Sequence, residues 1–241
     1  MSVYKHSSGK RFLFVHIPRT AGRFITTNFV KNGFKLEHDA HTSIEGIEII
    51  HFHRELYEKY LDVEGIPHIA IIRNPIDKFF GASSFLKRMY GEDIQEAMED
   101  PMMFSMMLDN FPLPEAVNWY RPQVDFISDK TYLWRFENGF GEEFSEWISD
   151  ILGVPFKAED VPYKKLSYDE NNKLERTDKL IDNIRTICRK DIEQLYPELA
   201  ASFQEGKETP SQTTGIAPST CQTQTVDKPS TQRSQTLWGR L

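Results

Sequence analysis

A short turn near the start of the chain combines residues that suit the binding of an anion. It reads Arg19-Thr20-Ala21-Gly22, follows Pro18, and precedes a segment whose apolar residues recur at helical spacing. In such a turn the unpaired backbone N–H groups and the N-terminus of the helix point to one place, where a phosphate-like group can bind. The same pattern is also typical of strand-to-helix connections that bind no ligand. The turn therefore indicates an anion site only if other residues support it.

The elements that must position this turn alternate between apolar runs and amphipathic segments. Apolar runs predict strands at 12–15, 44–50, 68–72 and 131–136, and the first of them leads into the turn. Apolar residues at helical spacing predict helices after Gly22, over 54–61, from Pro75, over 144–152 and over 178–196, with a looser helical pattern at 104–108. The first ten residues are polar and are expected to lead straight into the first strand. This alternation predicts a doubly wound α/β fold with a central parallel sheet flanked by helices, similar to that of P-loop NTPases.

Folds of this type bind nucleotides at the carboxyl ends of their strands, and the turn restricts which nucleotide is suitable. A P-loop NTPase needs the pattern G-x-x-x-x-G-K-[ST] and, in most cases, an Asp after a second strand to hold Mg²⁺. Here the turn reads PRTAGRF, and Arg73 follows the strand at 68–72 where a metal ligand would be needed. An Arg in place of a metal suits the transfer of a group with fewer charges to neutralise. A kinase or another NTPase is therefore the less favoured alternative, and we expect no metal.

Two motifs resemble those of a known enzyme family. FVHIPRTAG resembles the 5′-phosphosulfate loop of sulfotransferases that use 3′-phosphoadenosine 5′-phosphosulfate (PAPS), and IIRNPIDKFFGASSFLKR resembles their 3′-phosphate element. The block from His51 to Asp93 is similar to heparan sulfate 2-O-sulfotransferases, in which a His-x-His precedes that element by a similar interval. WYRPQ, LWRFENGF and FSEWISDILG are similar to later segments of the family, so the resemblance covers about residues 11–155. It implies a PAPS-dependent enzyme that sulfates a hydroxyl group of a carbohydrate or another acceptor.

The resemblance implies roles for residues of the first motif. Backbone groups of Thr20, Ala21, Gly22 and Arg23 would hold the 5′-phosphosulfate, and the Thr20 hydroxyl could donate to it. Arg19 stands where the family has a catalytic Lys, and it would stabilise the leaving oxygen electrostatically because Arg stays protonated. Arg23 either adds a second charge to the site or is a solvated helix residue.

The second motif implies further roles. Arg73 would hold the 3′-phosphate, for which the bidentate geometry of Arg is well suited. The family's partner Ser falls at Gly81 in this chain, so Ser83 or Ser84 would have to take its place. A non-catalytic nucleotide-binding protein of the same fold is a second alternative, and the departures at Arg19, Arg23 and Gly81 favour it.

The His pair supplies candidates for the general base. His53 matches the second His of the family's pair, and a neutral imidazole near pH 7 can take the proton of an acceptor hydroxyl. His51 is the fallback. A single His at a strand end is more often a structural hydrogen-bonding group, but the interval between this pair and Arg73 favours catalysis. Weaker candidates are Trp119 and Gln123 for the acceptor site, Glu137 for orienting a base, and Lys164 and Lys165 for contacting phosphates or the acceptor.

Charge and composition limit the partners of the chain. A net charge of −7 argues against a general nucleic-acid binder and makes a highly sulfated polyanion an awkward acceptor. A neutral glycan, a glycolipid or a small molecule is at least as suitable. No run approaches the ~18 apolar residues of a transmembrane segment, and Cys188 and Cys221 suggest neither a disulfide framework nor a metal site. We therefore expect a soluble, cytoplasmic protein, whose oligomeric state the sequence leaves open.

The composition changes near the end of the predicted catalytic domain. Residues 1–203 contain all of the apolar periodicity, whereas 204–241 are rich in Ser, Thr, Gln and Pro. A segment of this composition cannot bury enough apolar surface to offset the loss of chain entropy. The sequence therefore predicts one sulfotransferase-like α/β domain over 1–203, followed by a disordered tail.

Overall fold

The fold is built around a five-stranded mixed sheet. A computed structural model describes residues 1–39, 41–90, 95–109, 118–159 and 174–204. In spatial order the sheet contains β3 (Phe34–Leu36), β1 (Ser2–His6), β2 (Arg11–Val15), β6 (His68–Ile72) and β7 (Thr131–Arg135). β2, β6 and β7 run parallel to one another, as predicted, but β1 is antiparallel to both β2 and β3. The prediction of an α/β fold is confirmed, but the predicted central parallel sheet is a mixed sheet, in which only β2, β6 and β7 are parallel.

The antiparallel part of the sheet arises because β1 (Ser2–His6) forms within the first ten residues, where the sequence did not predict a strand. A tight turn reverses the chain between β1 and β2, with the Gly9 N–H donating to the His6 carbonyl at 2.9 Å. Gly9 has a φ of 89°, a value that glycine adopts without steric cost. Val3 and Tyr4 point to opposite faces of the sheet and are buried in the two core clusters that lie on those faces.

The predicted strand at 44–50 is replaced by smaller elements. β4 (Ser43–Ile44) and β5 (Ile47–Glu48) form a separate two-stranded hairpin, and a 3₁₀ turn over Ile49–His51 follows. Glu45 and Gly46 both have positive φ, at 56° and 77°, as the central residues of a type I′ turn do. The apolar run is therefore folded back on itself and cannot pair as one strand of the main sheet.

Helices cover both faces of the sheet. They are α1 (Gly22–Lys31), α2 (Arg54–Tyr60), α3 (Pro75–Tyr90), α4 (Gln95–Glu99), α5 (Pro101–Asp109), α6 (Glu142–Leu152), α7 (Asp178–Ile187), α8 (Arg189–Leu195) and α9 (Pro197–Gln204). The predicted helix over 178–196 is two helices that meet at Cys188. Pro197 begins the next helix, where the missing N–H of a proline costs nothing.

Alternation along the central strands divides the core into two layers. Phe12 and Phe14 of β2 pack with Phe29 of α1 and Phe144 of α6 on one face. Leu13 and Val15 point to the other face, into a cluster that includes Phe79 of α3 and Ile184 of α7. Because both faces of β2 are buried, its residues form the continuous apolar run seen in the sequence.

The described residues belong to one compact unit. The predicted tail, 204–241, lies outside the described residues except for Gln204, and so do Lys164, Lys165 and Cys221. Within the described part of the chain, no helix is long and apolar enough to span a membrane.

Candidate functional site

The loop between β2 and α1 has an unusual backbone. Arg19 and Ala21 both adopt left-handed conformations, with φ of 69° and 71°, and a non-glycine residue in such a conformation costs on the order of 1–3 kcal/mol. Between them Thr20 is fully buried, and its hydroxyl donates to the Ile17 carbonyl at 2.8 Å. Ala21 directly precedes α1. Strained backbone of this kind is concentrated at ligand-binding loops, and here it lies at the carboxyl end of β2.

His16 occupies the space beside the N-terminus of α1. A Cβ atom at Gly22 would lie 1.7 Å from Nε2 of His16, so the imidazole packs directly against the glycine backbone. The His16 ring is also 5.2 Å from the ring of His51. Burial lowers the pKa of His16 well below 6.5, and the positive charge of Arg23 adds to this effect. His16 is therefore neutral near pH 7, and it packs against the first residue of α1 without adding a charge there.

The Arg73 side chain lies beside this loop. Arg73 follows β6, and its Nη1 donates to the carbonyl of Arg19 at 3.2 Å. Its guanidinium lies over the ring of Phe136, 4.6 Å from the centroid. The guanidinium of Arg19 lies over Phe85 of α3, at 5.0 Å. Aromatic faces therefore support both predicted anion-binding arginines.

Gly81 of α3 faces both arginines. A Cβ atom at this position would lie 3.4 Å from Nη1 of Arg73 and 3.8 Å from Nε of Arg19. Ser84 follows three residues later on the same side of the helix, one turn along it. Ser83, in contrast, is buried, donates to the Phe79 carbonyl at 3.0 Å and shares a hydrogen bond with the Tyr120 hydroxyl. Of the two serines, Ser84 is therefore the better placed to share a ligand with Arg73.

Replacing Gly81 by alanine is expected to stabilise the protein. Glycine within a helix costs about 0.5–1 kcal/mol relative to alanine, and the added methyl would meet Arg73 only at ordinary contact distance. Thermal or urea unfolding of Gly81→Ala should therefore show a free energy of unfolding higher by about this amount. A lower free energy of unfolding would contradict this prediction and would mean that the two arginine side chains cannot accommodate the added methyl group.

The two histidines of the predicted catalytic pair have different surroundings. The carbonyl of His51 accepts a hydrogen bond from Nδ2 of Asn118, and its ring contacts His16 at the loop. His53 is buried and directly precedes α2. Burial lowers the pKa of His53, as does the positive charge of Arg121, although nearby carboxylates oppose this. His53 is therefore neutral near pH 7, the state in which an imidazole can accept a proton.

Buried histidines should make the fold less stable in mild acid. Burial lowers the pKa of His16, His53 and His68 from the ordinary value of 6.5. At pH values between the folded-state pKa and 6.5, the unfolded chain binds more protons than the folded protein does. The free energy of unfolding therefore decreases as the pH is lowered, by up to about 1.4 kcal/mol per pH unit for each histidine. Urea unfolding at about pH 7.5 and about pH 5.5 measures this fall. The drop in the free energy of unfolding should be smaller in His68→Gln than in the parent. His41 is exposed, so His41→Gln should show the same drop as the parent. An equal drop in all three proteins would contradict a contribution from buried His68.

One segment, residues 118–125, contacts the candidate groups in turn, and we call it the bridging segment. Asn118 donates to the His51 carbonyl, Tyr120 shares a hydrogen bond with Ser83, and Gln123 pairs with the backbone of Arg73. The positive charge of Arg121 lowers the pKa of His53. Trp119 packs its ring against Phe85, at 5.0 Å between centroids. The sequence suggested Trp119 and Gln123 for an acceptor site, but their described contacts lie within the protein.

Two buried charged residues hold the bridging segment in place. Lys78 of α3 donates from Nζ to the carbonyls of Trp119 and Arg121, at 2.9 and 3.0 Å. Burial lowers the pKa of Lys78, while the negative charge of Asp191 opposes this. Asp191 of α8 accepts a hydrogen bond from the Val124 N–H at 3.0 Å. Sequence reasoning missed both residues, because a Lys and an Asp within helices are usually on the surface.

Glu137 also acts on the backbone beside Arg73. Its Oε1 accepts from the Asn74 N–H at 2.6 Å, and its Oε2 accepts from the Tyr196 hydroxyl at 3.0 Å. The Asn74 side chain in turn accepts from the Ile76 N–H and so caps α3. Glu137, suggested from sequence as the group that orients a base, thus contacts the turn after β6.

A cavity of about 320 Å³ lies at the end of the sheet opposite the candidate site. It is lined by Gly9, Lys10, Arg11, Gly65, Ile66, Pro67, Ile151 and Leu152, which include the residues that begin β2 and precede β6. This cavity is therefore at the amino ends of the parallel strands, away from Arg19 and Arg73. Among the described residues, no group of three His, Cys, Asp or Glu side chains is placed to hold a metal ion.

Comparisons with protein-family models, curated proteins and solved structures find no match to this chain. A proposal of function must therefore rest on the chemistry of the site residues and on the resemblance of their motifs.

Proposed function

We propose that the protein is a PAPS-dependent sulfotransferase that transfers a sulfuryl group to an acceptor hydroxyl of a carbohydrate, a glycolipid or a small molecule. The observation that supports this most is the meeting of the Arg19 and Arg73 side chains beside Gly81, next to the N-terminus of α1. Two fixed cationic groups and a helix N-terminus suit a nucleotide that carries two separate anionic groups. The motifs that resemble the 5′-phosphosulfate and 3′-phosphate elements supply these same residues.

The parallel part of the sheet also suits this proposal. The central strands β2, β6 and β7 are parallel, so the loop after β2 and the turn after β6 lie at the same end of the sheet. Helices pack on both faces of these strands. We propose that this part of the fold corresponds to the P-loop-NTPase-like sheet expected from the sequence, with β1 and β3 as an antiparallel addition. The nucleotide would then bind at the carboxyl ends of the parallel strands.

The proposed reaction is an in-line displacement at sulfur. The bond between sulfur and the bridging phosphate oxygen breaks, a bond between sulfur and the acceptor oxygen forms, and His53 takes the proton of the hydroxyl. Backbone N–H groups at Thr20 to Arg23 would hold the phosphosulfate, and the charge of Arg19 would stabilise the phosphate oxygen that leaves. Catalysis by such a site depends on positioning and on charge stabilisation.

The first experiment measures nucleotide binding and sulfate transfer. The full chain is titrated with adenosine 3′,5′-bisphosphate (PAP), the product nucleotide, and its melting temperature is followed. The chain is then incubated with labelled PAPS and a panel of neutral glycans, glycolipids and phenols, and label on the acceptors is scored. We expect PAP to raise the melting temperature and at least one acceptor to become labelled.

The alternatives give different results in the same experiment. Stabilisation by ATP with Mg²⁺ but not by PAP would favour a kinase or NTPase. Binding of PAP without transfer to any acceptor would favour a non-catalytic nucleotide-binding protein. If the protein shows no PAP binding and no sulfate transfer, the sulfotransferase proposal is overturned.

A further inference from the structure

We propose that Gln123 is a positioning residue that fixes the backbone of Arg73, so that the arginine is ready to bind the 3′-phosphate of the nucleotide. This inference rests on the proposed function, because it concerns how that function's 3′-phosphate group would be held. It gives Gln123 a role different from the contact with the acceptor that the sequence suggested.

Gln123 pairs with Arg73 as a neighbouring strand would. Its Oε1 accepts from the Arg73 N–H at 2.9 Å, and its Nε2 donates to the Arg73 carbonyl at 2.8 Å. The two bonds satisfy both backbone groups of the residue directly after β6, where the ladder with β7 ends. Gln123 is fully buried, so water does not compete for these bonds.

The chemistry of the site requires an amide rather than a carboxylate. The Gln123 side chain accepts from the Arg73 N–H while it donates to the Arg73 carbonyl. Only an amide supplies both an acceptor and a donor here, since an ionised carboxylate only accepts. The carboxylate of Asp191, which is 1% exposed, accepts from the N–H of the next residue, Val124, so it lies close to this position. Glutamate has nearly the same shape but would place a charge beside Asp191 and leave the Arg73 carbonyl unpaired.

Fixing the Arg73 backbone also fixes its side chain. The guanidinium lies over Phe136 and reaches the Arg19 carbonyl, so its direction depends on where the Arg73 Cα is held. A shift of the backbone would move the guanidinium away from Gly81 and the loop. The loss should fall on nucleotide binding more than on the transfer step, since the 3′-phosphate that Arg73 is proposed to hold takes no part in the bonds that break and form.

The test compares Gln123→Glu with a matched change elsewhere. Asn183 of α7 is another buried amide, which donates to the Met98 carbonyl at 2.6 Å, so Asn183→Asp is the control. Hydrogen exchange at the Arg73 amide reports whether the bond to Gln123 is present, and calorimetry reports PAP affinity. Kinetics with PAPS separates KM from kcat.

We expect Gln123→Glu to lose protection at the Arg73 amide, to bind PAP at least about tenfold more weakly, and to raise KM for PAPS with kcat nearly unchanged. Gln123→Met, which adds no charge, should show the same losses, whereas Asn183→Asp should keep the parent's affinity. Parent-like PAP affinity in both Gln123 variants, despite lost protection, would overturn the inference but leave the proposed function standing. If the parent binds no PAP, the proposed function fails, and the role of Gln123 in holding a 3′-phosphate is overturned with it.

Discussion

Replacing Arg73 by alanine is expected to weaken the binding of PAP by about 100-fold. The guanidinium is the proposed partner of the 3′-phosphate, and a charge-assisted hydrogen-bonded contact contributes about 1.5–3 kcal/mol. Its Nη1 also donates to the Arg19 carbonyl, so the loop after β2 would lose a support. Isothermal titration calorimetry of PAP measures the effect directly.

Two further variants show whether this loss is specific. Arg73→Lys keeps the charge but loses the bidentate geometry, so its affinity should fall between those of the parent and the alanine variant. Arg189→Ala removes an arginine whose described ion pair, with Glu193, lies on the surface, and it should bind PAP as the parent does. If Arg73→Ala and Arg73→Lys both bind PAP as tightly as the parent and the control Arg189→Ala do, Arg73 is not part of a nucleotide site.

Replacing His53 by alanine is expected to lower kcat for sulfate transfer by about 10²–10⁴-fold, which is the usual contribution of a general base. PAP should still bind with the parent's affinity, because His53 is not among the proposed contacts of the nucleotide. Since burial and Arg121 lower the pKa of His53, the acid limb of the kcat/KM profile should lie below pH 6.5. A pH profile of the parent and single-turnover assays of the variant measure both effects.

His51 provides the comparison for this variant. Its ring contacts His16 beside the N-terminus of α1, so His51→Ala should disturb the loop as well as any proton transfer. We expect it to change both KM for PAPS and kcat. A larger loss of kcat in His51→Ala than in His53→Ala, with unchanged KM, would transfer the role of base to His51.

Runs of apolar residues correctly predicted β2 and β6, the strands that lead to the candidate site, because both strands are buried on both faces. β2 and β6 are short apolar runs that end at Val15 and Ile72, shortly before Pro18 and Arg73, and the helices after them begin where the spacing changes. The strand β1 was not predicted, because Ser2, Lys5 and His6 leave it without the continuous apolar run that marks β2 and β6. The run at 44–50 was misread as one strand, because the conformation of Glu45 and Gly46 decides its fold.

The sequence assigned Arg19 and Arg73 to one nucleotide site, but it did not indicate which residues hold them in place. Arg19 and Arg73 follow two parallel strands that are neighbours in the sheet, so their meeting follows from the topology. Gln123, Lys78 and Asp191 could not be found in this way, since their roles depend on hydrogen bonds between distant segments. Residues of the same types on a surface would have the same local pattern.

The hydrogen bond from Arg73 to the Arg19 carbonyl joins the two halves of the candidate site. The carbonyl belongs to a residue in a left-handed conformation, so this bond helps to keep the loop in its strained shape. A ligand that draws the guanidinium away would also relax the loop, and a ligand that reshapes the loop would release the guanidinium. Thermodynamic reciprocity then requires that each half of a nucleotide alter the affinity for the other half by the same factor.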